Sequence, residues 1–129
     1  MLAACCAINS GPMPPRLRHA FDRELSLSET ADLAGEKDRA FYHLERAHIL
    51  GQTYFTPHLQ THWRMLKWGF KAKQTKEVFG QILRLIAVFP ASLFGSVPTG
   101  NTGGSNVSAF EKMEIDEDLQ KILQDSQYD

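Results

Sequence analysis

The stretch Gly35–Gly51, GEKDRAFYHLERAHILG, decides the fold. Its apolar positions are Ala40 or Phe41, Leu44, Ala47 or His48, and Leu50. They recur every three or four residues, so they share one side of an α-helix from Asp38 to about Leu50. Arg39, Glu45 and Arg46 fall on the opposite, solvated face. Gly35 has the place of a left-handed residue that ends a preceding helix, and Gly51 closes the helix that follows.

Upstream, Pro14 and Pro15 suit a helix start, where a missing N–H costs nothing. Leu17, Phe21, Leu25, Leu27 or Ser28, Ala31 and Leu33–Ala34 then mark an amphipathic helix that stops at Gly35. Downstream, Thr56 is the natural N-cap of a third helix over 57–72, opened by Pro57 and carrying Leu59, His62 or Trp63, Leu66 and Phe70. A fourth helix is expected from Thr75 to Phe89, with Pro90 ending it. Its apolar set is Val78, Phe79, Ile82, Leu83, Leu85, Ile86 and Phe89, more than half its circumference. That places it centrally in the bundle or under the loop that follows. Glu77 near its start and Arg84 later suit the helix dipole. Trp63, Trp68, Phe70 and Tyr54 are expected to pack the core.

Residues 95–106, GSVPTGNTGGSN, change character, because four glycines, a proline and two asparagines do not make regular structure. Val107, Ala109 and Phe110 are expected to pin this segment as a cover over the bundle. Asn101 and Asn106 can supply hydrogen bonds inside the loop, and both are candidate ligand contacts. Ile115, Leu119, Ile122 and Leu123 then predict a short C-terminal helix from about Asp116. The domain organisation is a flexible extension over 1–13, a helical domain over 14–119 and an acidic tail over 120–129.

The first two helices resemble a tetratricopeptide repeat through Gly35, Ala40, Leu44 and Ala47. A second, degenerate copy carries His62, Met65, Leu66 and Gly69, then Val78, Ile82 and Leu85, with Pro90 in the closing position. The expected fold is all-α: four main antiparallel helices forming two tetratricopeptide-like hairpins, a Gly-rich loop and a short C-terminal helix.

The 129 residues contain 43% hydrophobic side chains, enough for a core, and carry a net charge of −1. That balance argues against nucleic-acid binding. Six Lys and Arg stand against the single acid Glu77 in residues 52–90, whereas seven acids stand against Lys112 and Lys121 in 91–129. The acidic tail is therefore expected to lie against the basic helices. The only cysteines, Cys5 and Cys6, are adjacent, a pairing too strained for a routine disulfide but able to hold a soft ion. With no disulfide framework the expected compartment is the cytoplasm. No segment reads as a membrane span, and residues 1–12 read as dispensable.

Four of the five histidines, His43, His48, His58 and His62, fall within twenty residues. His58 and His62 are four apart on one helix and project from the same face. An antiparallel second helix brings His48 near the turn and close to His58, whereas His43 lies about 140° around that helix from His48. His48, His58 and His62 are thus the candidate metal ligands, with Glu45 or a thiolate as a fourth. Three imidazoles suit Zn(II), Cu(II), Ni(II) or Co(II). No residue has a nucleophile setting, and no carboxylate pair is held close and dry, so the chain is read as non-catalytic.

Three stretches carry a closer resemblance: AFYHLERAHILGQ (40–52), PH and THW within 57–63, and VPTGNTGGSNVSAF (97–110). Together they resemble a family of short bacterial proteins of unknown function, often carried near heavy-metal or mercury resistance genes. The likeness spans about residues 18–119. Family members tend to have prolines after the SAF motif, where this chain has Glu111, Glu114 and Asp116, and they generally lack residues 1–12. Two functions follow as expectations. The first is a helical interaction module for a protein or peptide partner, with self-association through the fourth or C-terminal helix. The second is a cytoplasmic metal-binding accessory protein that uses His48, His58 and His62.

Overall fold

The computed structural model describes residues 6–7, 9, 11–94 and 96–129, and the side chains of 9, 11–87 and 97–129. Five helices make up most of it: α1 (Pro15–Leu33), α2 (Lys37–Gly51), α3 (Phe55–Ala72), α4 (Thr75–Phe94) and α5 (Glu117–Asp125). A 3-10 turn, Ser126–Tyr128, continues α5. Two residue pairs, β1 (Cys6–Ala7) and β2 (Ser96–Val97), form a minimal antiparallel ladder with Cys6 opposite Val97.

α1 packs chiefly on α2, and α3 on α4, while α2 and α3 join the two hairpins. This is the all-α, two-hairpin arrangement expected from the helical periodicity. Gly35 ends the first helix with φ +78, as its position required. The core lies between α1 and α2. It is built from Leu17, Phe21, Leu25, Leu44, Ala47, Ile49 and Leu50, with Tyr54 and Met65 from the α3 side and Leu119 from α5. Each of the large side chains Phe21, Leu50 and Met65 is fully buried and contributes about 2–3 kcal/mol.

Several details differ from expectation. Thr56 is not the cap of α3: the helix begins at Phe55, behind an extended Tyr54 with no side-chain cap. Pro57 therefore sits in the first turn, where its missing N–H is still harmless. α2 ends at Gly51, as expected, but without a left-handed residue, since the next residue, Gln52, is right-handed. Glycine is needed there for contact, because a Cβ would lie 2.7 Å from Phe21 Cε2 and 3.0 Å from Pro57 Cβ. Pro90 does not end α4, which runs on to Phe94. A proline forfeits one intrahelical bond and kinks the ladder, but it leaves the bonds beyond it available.

The largest departure is in α4. Among its described side chains the buried ones are polar, Glu77 and Gln81, whereas Phe79, Ile82, Leu83 and Ile86 are 40–67% exposed. The helix is inside-out because its inward side holds polar groups of the loop and of α3. Trp63 and Phe70 are likewise on the surface, 55% and 63% exposed. Tyr54 is buried as expected, and Trp68 packs at 4.4 Å on Phe41 and donates to Lys37 O.

The acidic C-terminal segment lies against α1 and α2 rather than the basic α3 and α4. Arg46 pairs with Asp116 and Asp118, and Arg16 with Asp129. Burial alone would lower the Arg46 guanidinium, but hydrogen bonds to Asp118 and Glu24 raise it. The expectations for the extension over 1–13 and for the Cys5–Cys6 thiols fall largely outside the described residues. No helix among the described residues is long and apolar enough to cross a membrane.

Candidate metal centre

α2 ends, turns and re-enters as α3 within three residues, so the last turn of one helix faces the first turns of the next. His48 on α2 thereby meets His58 and His62 on α3. The Nε2 atoms of His48 and His62 are 3.2 Å apart, and those of His62 and His58 are 3.0 Å apart. One ring nitrogen from each of the three lies within 4.8 Å of the others. Ligand nitrogens on a tetrahedral Zn(II), at bonds of 2.0–2.1 Å, stand about 3.3 Å apart.

The outer nitrogens are anchored. His48 Nδ1 is 2.7 Å from the carbonyl of Asn101, which only accepts, so Nδ1 carries the proton. His62 Nδ1 is 2.7 Å from Gln81 Oε1. The Gln81 amide nitrogen donates to Glu77 Oε1 and to Gly103 O, which directs its oxygen at His62. Both inner Nε2 atoms are therefore lone pairs. At 3.2 Å they have no proton to share, and His58 can donate to only one neighbour. Anchored outer nitrogens and converging lone pairs are the arrangement of imidazoles that bind metal.

Electrostatics hold the three rings neutral. Burial is the main cause for each. It takes His48 well below the ordinary imidazole value, with further lowering by His62 and His58. His58 falls to about 3, through burial and then His62. His62 falls to about 4 through burial and the Arg84 charge, against partial support from Gln81 and Glu77. Neutral imidazole is the form that ligates.

The Gly-rich loop closes over this cluster, as expected of a cover, and polar side chains of α2 and α4 hold it there. Arg84 donates to Gly104 O and Val107 O, and Glu77 accepts from the Ser105 backbone N–H and hydroxyl. The Gln52 amide, with its nitrogen toward Pro98 O and its oxygen toward Gly100 N, adds bonds of 3.1 and 3.0 Å. Asn101 is buried and knits the loop, donating to Ser108 O and Glu111 O and accepting from Gly103 N. Between loop and helices a cavity of about 130 Å³ remains, bordered by the three histidines, Asn101, Gln52, Arg84 and mostly apolar groups.

The other candidates lie elsewhere. Asn106 borders a separate hollow with Phe41, Glu45, Trp68 and Ser105. Glu45 borders that same hollow and is not among the residues whose ligand atoms converge with His48, His58 and His62. His43 turns to Glu24, at 2.7 Å, beside the Arg46–Glu24 pair. Gln52, Glu77, Gln81 and Arg84 were not singled out as site residues from sequence. The available signal was the polar series Glu77, Gln81 and Arg84 in an otherwise apolar helix.

Glu45 offers a test of this electrostatic picture. Burial, and then the Glu77 charge, lift its carboxyl from 4.5 to about 7. The folded chain thus holds that proton more tightly than the unfolded one. Stability falls as pH rises above the unfolded value, and the loss is complete above the folded one. Glu45→Gln is expected to be more stable than the parent at about pH 8, by roughly 1–2 kcal/mol once partial exposure is discounted. The gain should vanish near pH 4, as read by urea unfolding at both values. Equal gains at both pH values would refute it.

A model of a family of proteins of unknown function, DUF3703, matches residues 15–123. The chain belongs to that family. The match takes in all three histidines, Glu77, Gln81, Arg84 and the whole Gly-rich loop. No curated protein and no solved structure matches the chain.

Proposed function

We propose that this DUF3703 protein is a small metal-binding protein that holds one divalent transition ion on His48, His58 and His62. The observation that carries the reading is the facing pair of Nε2 lone pairs on His48 and His62, each ring locked by a bond at Nδ1. A cation relieves that opposition, and the depressed ring basicities disfavour a proton in the role. An all-nitrogen donor set suits the Zn(II), Cu(II), Ni(II), Co(II) group better than soft Hg(II). The role is a non-catalytic one of buffering or handing on an ion, in the cytoplasm, as an accessory to heavy-metal resistance.

The test is metal content of the untagged chain, followed by titration with Zn(II), Cu(II), Ni(II) and Hg(II). About one ion per chain is expected, and the His58→Ala/His62→Ala variant should lose it. Retention in that variant, with loss on deleting residues 1–12, would move the site to Cys5 and Cys6. No tight binding by any of the ions would end the metal reading.

The inside-out α4 favours a second role, that of an interaction module. Phe79, Ile82, Leu83 and Ile86 follow the i, i+3, i+4, i+7 pattern of a helix-packing stripe, and they are exposed. The stripe carries no charge and is complementary to itself, so its partner in this reading is a second copy of the chain, related by a two-fold axis. Light scattering at micromolar concentration is expected to give a dimer, and Leu83→Glu a folded monomer. A monomeric parent chain would remove this reading and leave the metal one untouched.

A further inference from the structure

The geometry points to an exchangeable fourth ligand on the proposed ion: a small anion, such as a short carboxylate or a pseudohalide, drawn from solution into the cavity beside Arg84. The inference rests on the metal reading above.

Three observations carry it. The first is the donor count. Three protein ligands leave one tetrahedral position, and all three histidines border the same cavity of about 130 Å³. Three ligands plus an open position is the pattern of sites that exchange a ligand, whereas purely structural sites are closed by a fourth residue. Among the described residues, no carboxylate or thiol borders the cavity.

The second is charge. Three neutral imidazoles leave the ion with its full double positive charge, and Arg84 adds another at the same cavity. Glu77, the acid coupled to Arg84 and His62, is committed to Gln81 and Ser105. A half-enclosed cationic hollow with no bordering anion favours a negatively charged guest over a neutral one.

The third is an orphaned donor. The Arg84 terminal nitrogens reach Gly80 O, Gly104 O and Val107 O, but its Nε is buried without an acceptor. A buried guanidinium N–H left unpaired is costly, and a small turn of the Arg84 side chain, which borders the cavity, would let an anion beside the ion give it a partner. The remaining walls, Ala87, Val97, Pro98, Ala109 and Phe110, are apolar. They suit a guest with one charged end and a small hydrocarbon body, which is why a short carboxylate fits.

The experiment uses the full chain loaded with Co(II), whose visible bands report its ligand set. Azide and acetate are titrated separately, with acetamide as the neutral counterpart of acetate. Saturable band changes with both anions, and none with acetamide, are expected. Arg84→Met should weaken anion binding to the Co(II)-loaded chain about tenfold or more, read on chain whose Co(II) loading is measured separately because the substitution also removes two bonds to the loop, and Arg84→Lys should recover part of it. Unchanged bands at high anion concentration would overturn the inference, as would equal anion affinity in Arg84→Met. A thiolate charge-transfer band that disappears in Cys5→Ser/Cys6→Ser would also overturn it, by showing that the chain itself fills the position. Failure to bind Co(II) at all would instead overturn the metal reading on which the inference rests.

Discussion

Saturating Zn(II) is expected to raise the melting temperature of the untagged chain by about 10–15 °C, and His58→Ala to remove most of that rise. The size follows from linkage: an ion present at a thousandfold excess over its dissociation constant stabilises the folded state by ~4 kcal/mol. For a domain of this length each kcal/mol moves the midpoint by roughly 3–4 °C. A bound ion would act on the folded state, because only there do three Nε2 atoms converge. α2 supplies one and α3 the other two, across a three-residue turn.

His58 is the informative position to change. Among the described residues no hydrogen bond anchors its Nδ1, whereas His48 and His62 each help hold the loop and α4 in place. Truncating His58 therefore removes a ligand and leaves the Asn101 and Gln81 contacts standing. The metal-free variant should melt within a few degrees of the metal-free parent, a cost of about 1 kcal/mol or less. Scanning calorimetry with and without zinc gives both numbers. A parent chain with no zinc-dependent shift, or a His58→Ala chain with the full shift, contradicts the proposed site.

The periodicity of residues 17–72 was enough for the first hairpin and for the meeting of His48 with His58 and His62. Both depend on local rules: the spacing of apolar residues, a left-handed glycine at 35, and two histidines one turn apart. What escaped depends on chain folding back over long separations. Asn101 reaches His48 across 53 residues and Gly103 reaches Gln81 across 22. Nothing in the loop's composition says which helix it will lie on. α4 misled for a related reason. Its apolar stripe is real, but an apolar stripe does not by itself face inward, and this one is exposed. The inward face is decided instead by Glu77 and Gln81, which must satisfy His62 and the loop. Trp63 and Phe70, expected in the core, lie on the surface for the same reason. Periodicity says which residues share a face and leaves open which face is covered.

Gly103→Ala is expected to cost about 3 kcal/mol or more and to weaken zinc binding more than tenfold, because one methyl group disturbs three things together. Gly103 has φ +79, where any side chain is strained. Its Cβ would lie 2.7–2.9 Å from Cδ2, Cγ and Nε2 of His48, a ring already pinned at Nδ1 by Asn101. The ring cannot swing aside without breaking that bond and turning Nε2 from the other two histidines. Moving the backbone instead breaks the bonds from Gly103 N to Asn101 Oδ1 and from Gln81 to Gly103 O. The Gln81 bond in turn orients the amide that holds His62. Gly35→Ala separates these effects. Gly35 has nearly the same φ, +78, but a Cβ there meets nothing within 4 Å. It should cost only the backbone strain, about 1 kcal/mol, with zinc affinity unchanged. The difference between the two variants in urea unfolding is then the cost of crowding His48, and the difference in zinc affinity reports the imidazole's displacement. Equal destabilisation of the two variants, with zinc affinity intact in both, would mean that the loop does not hold His48 in place.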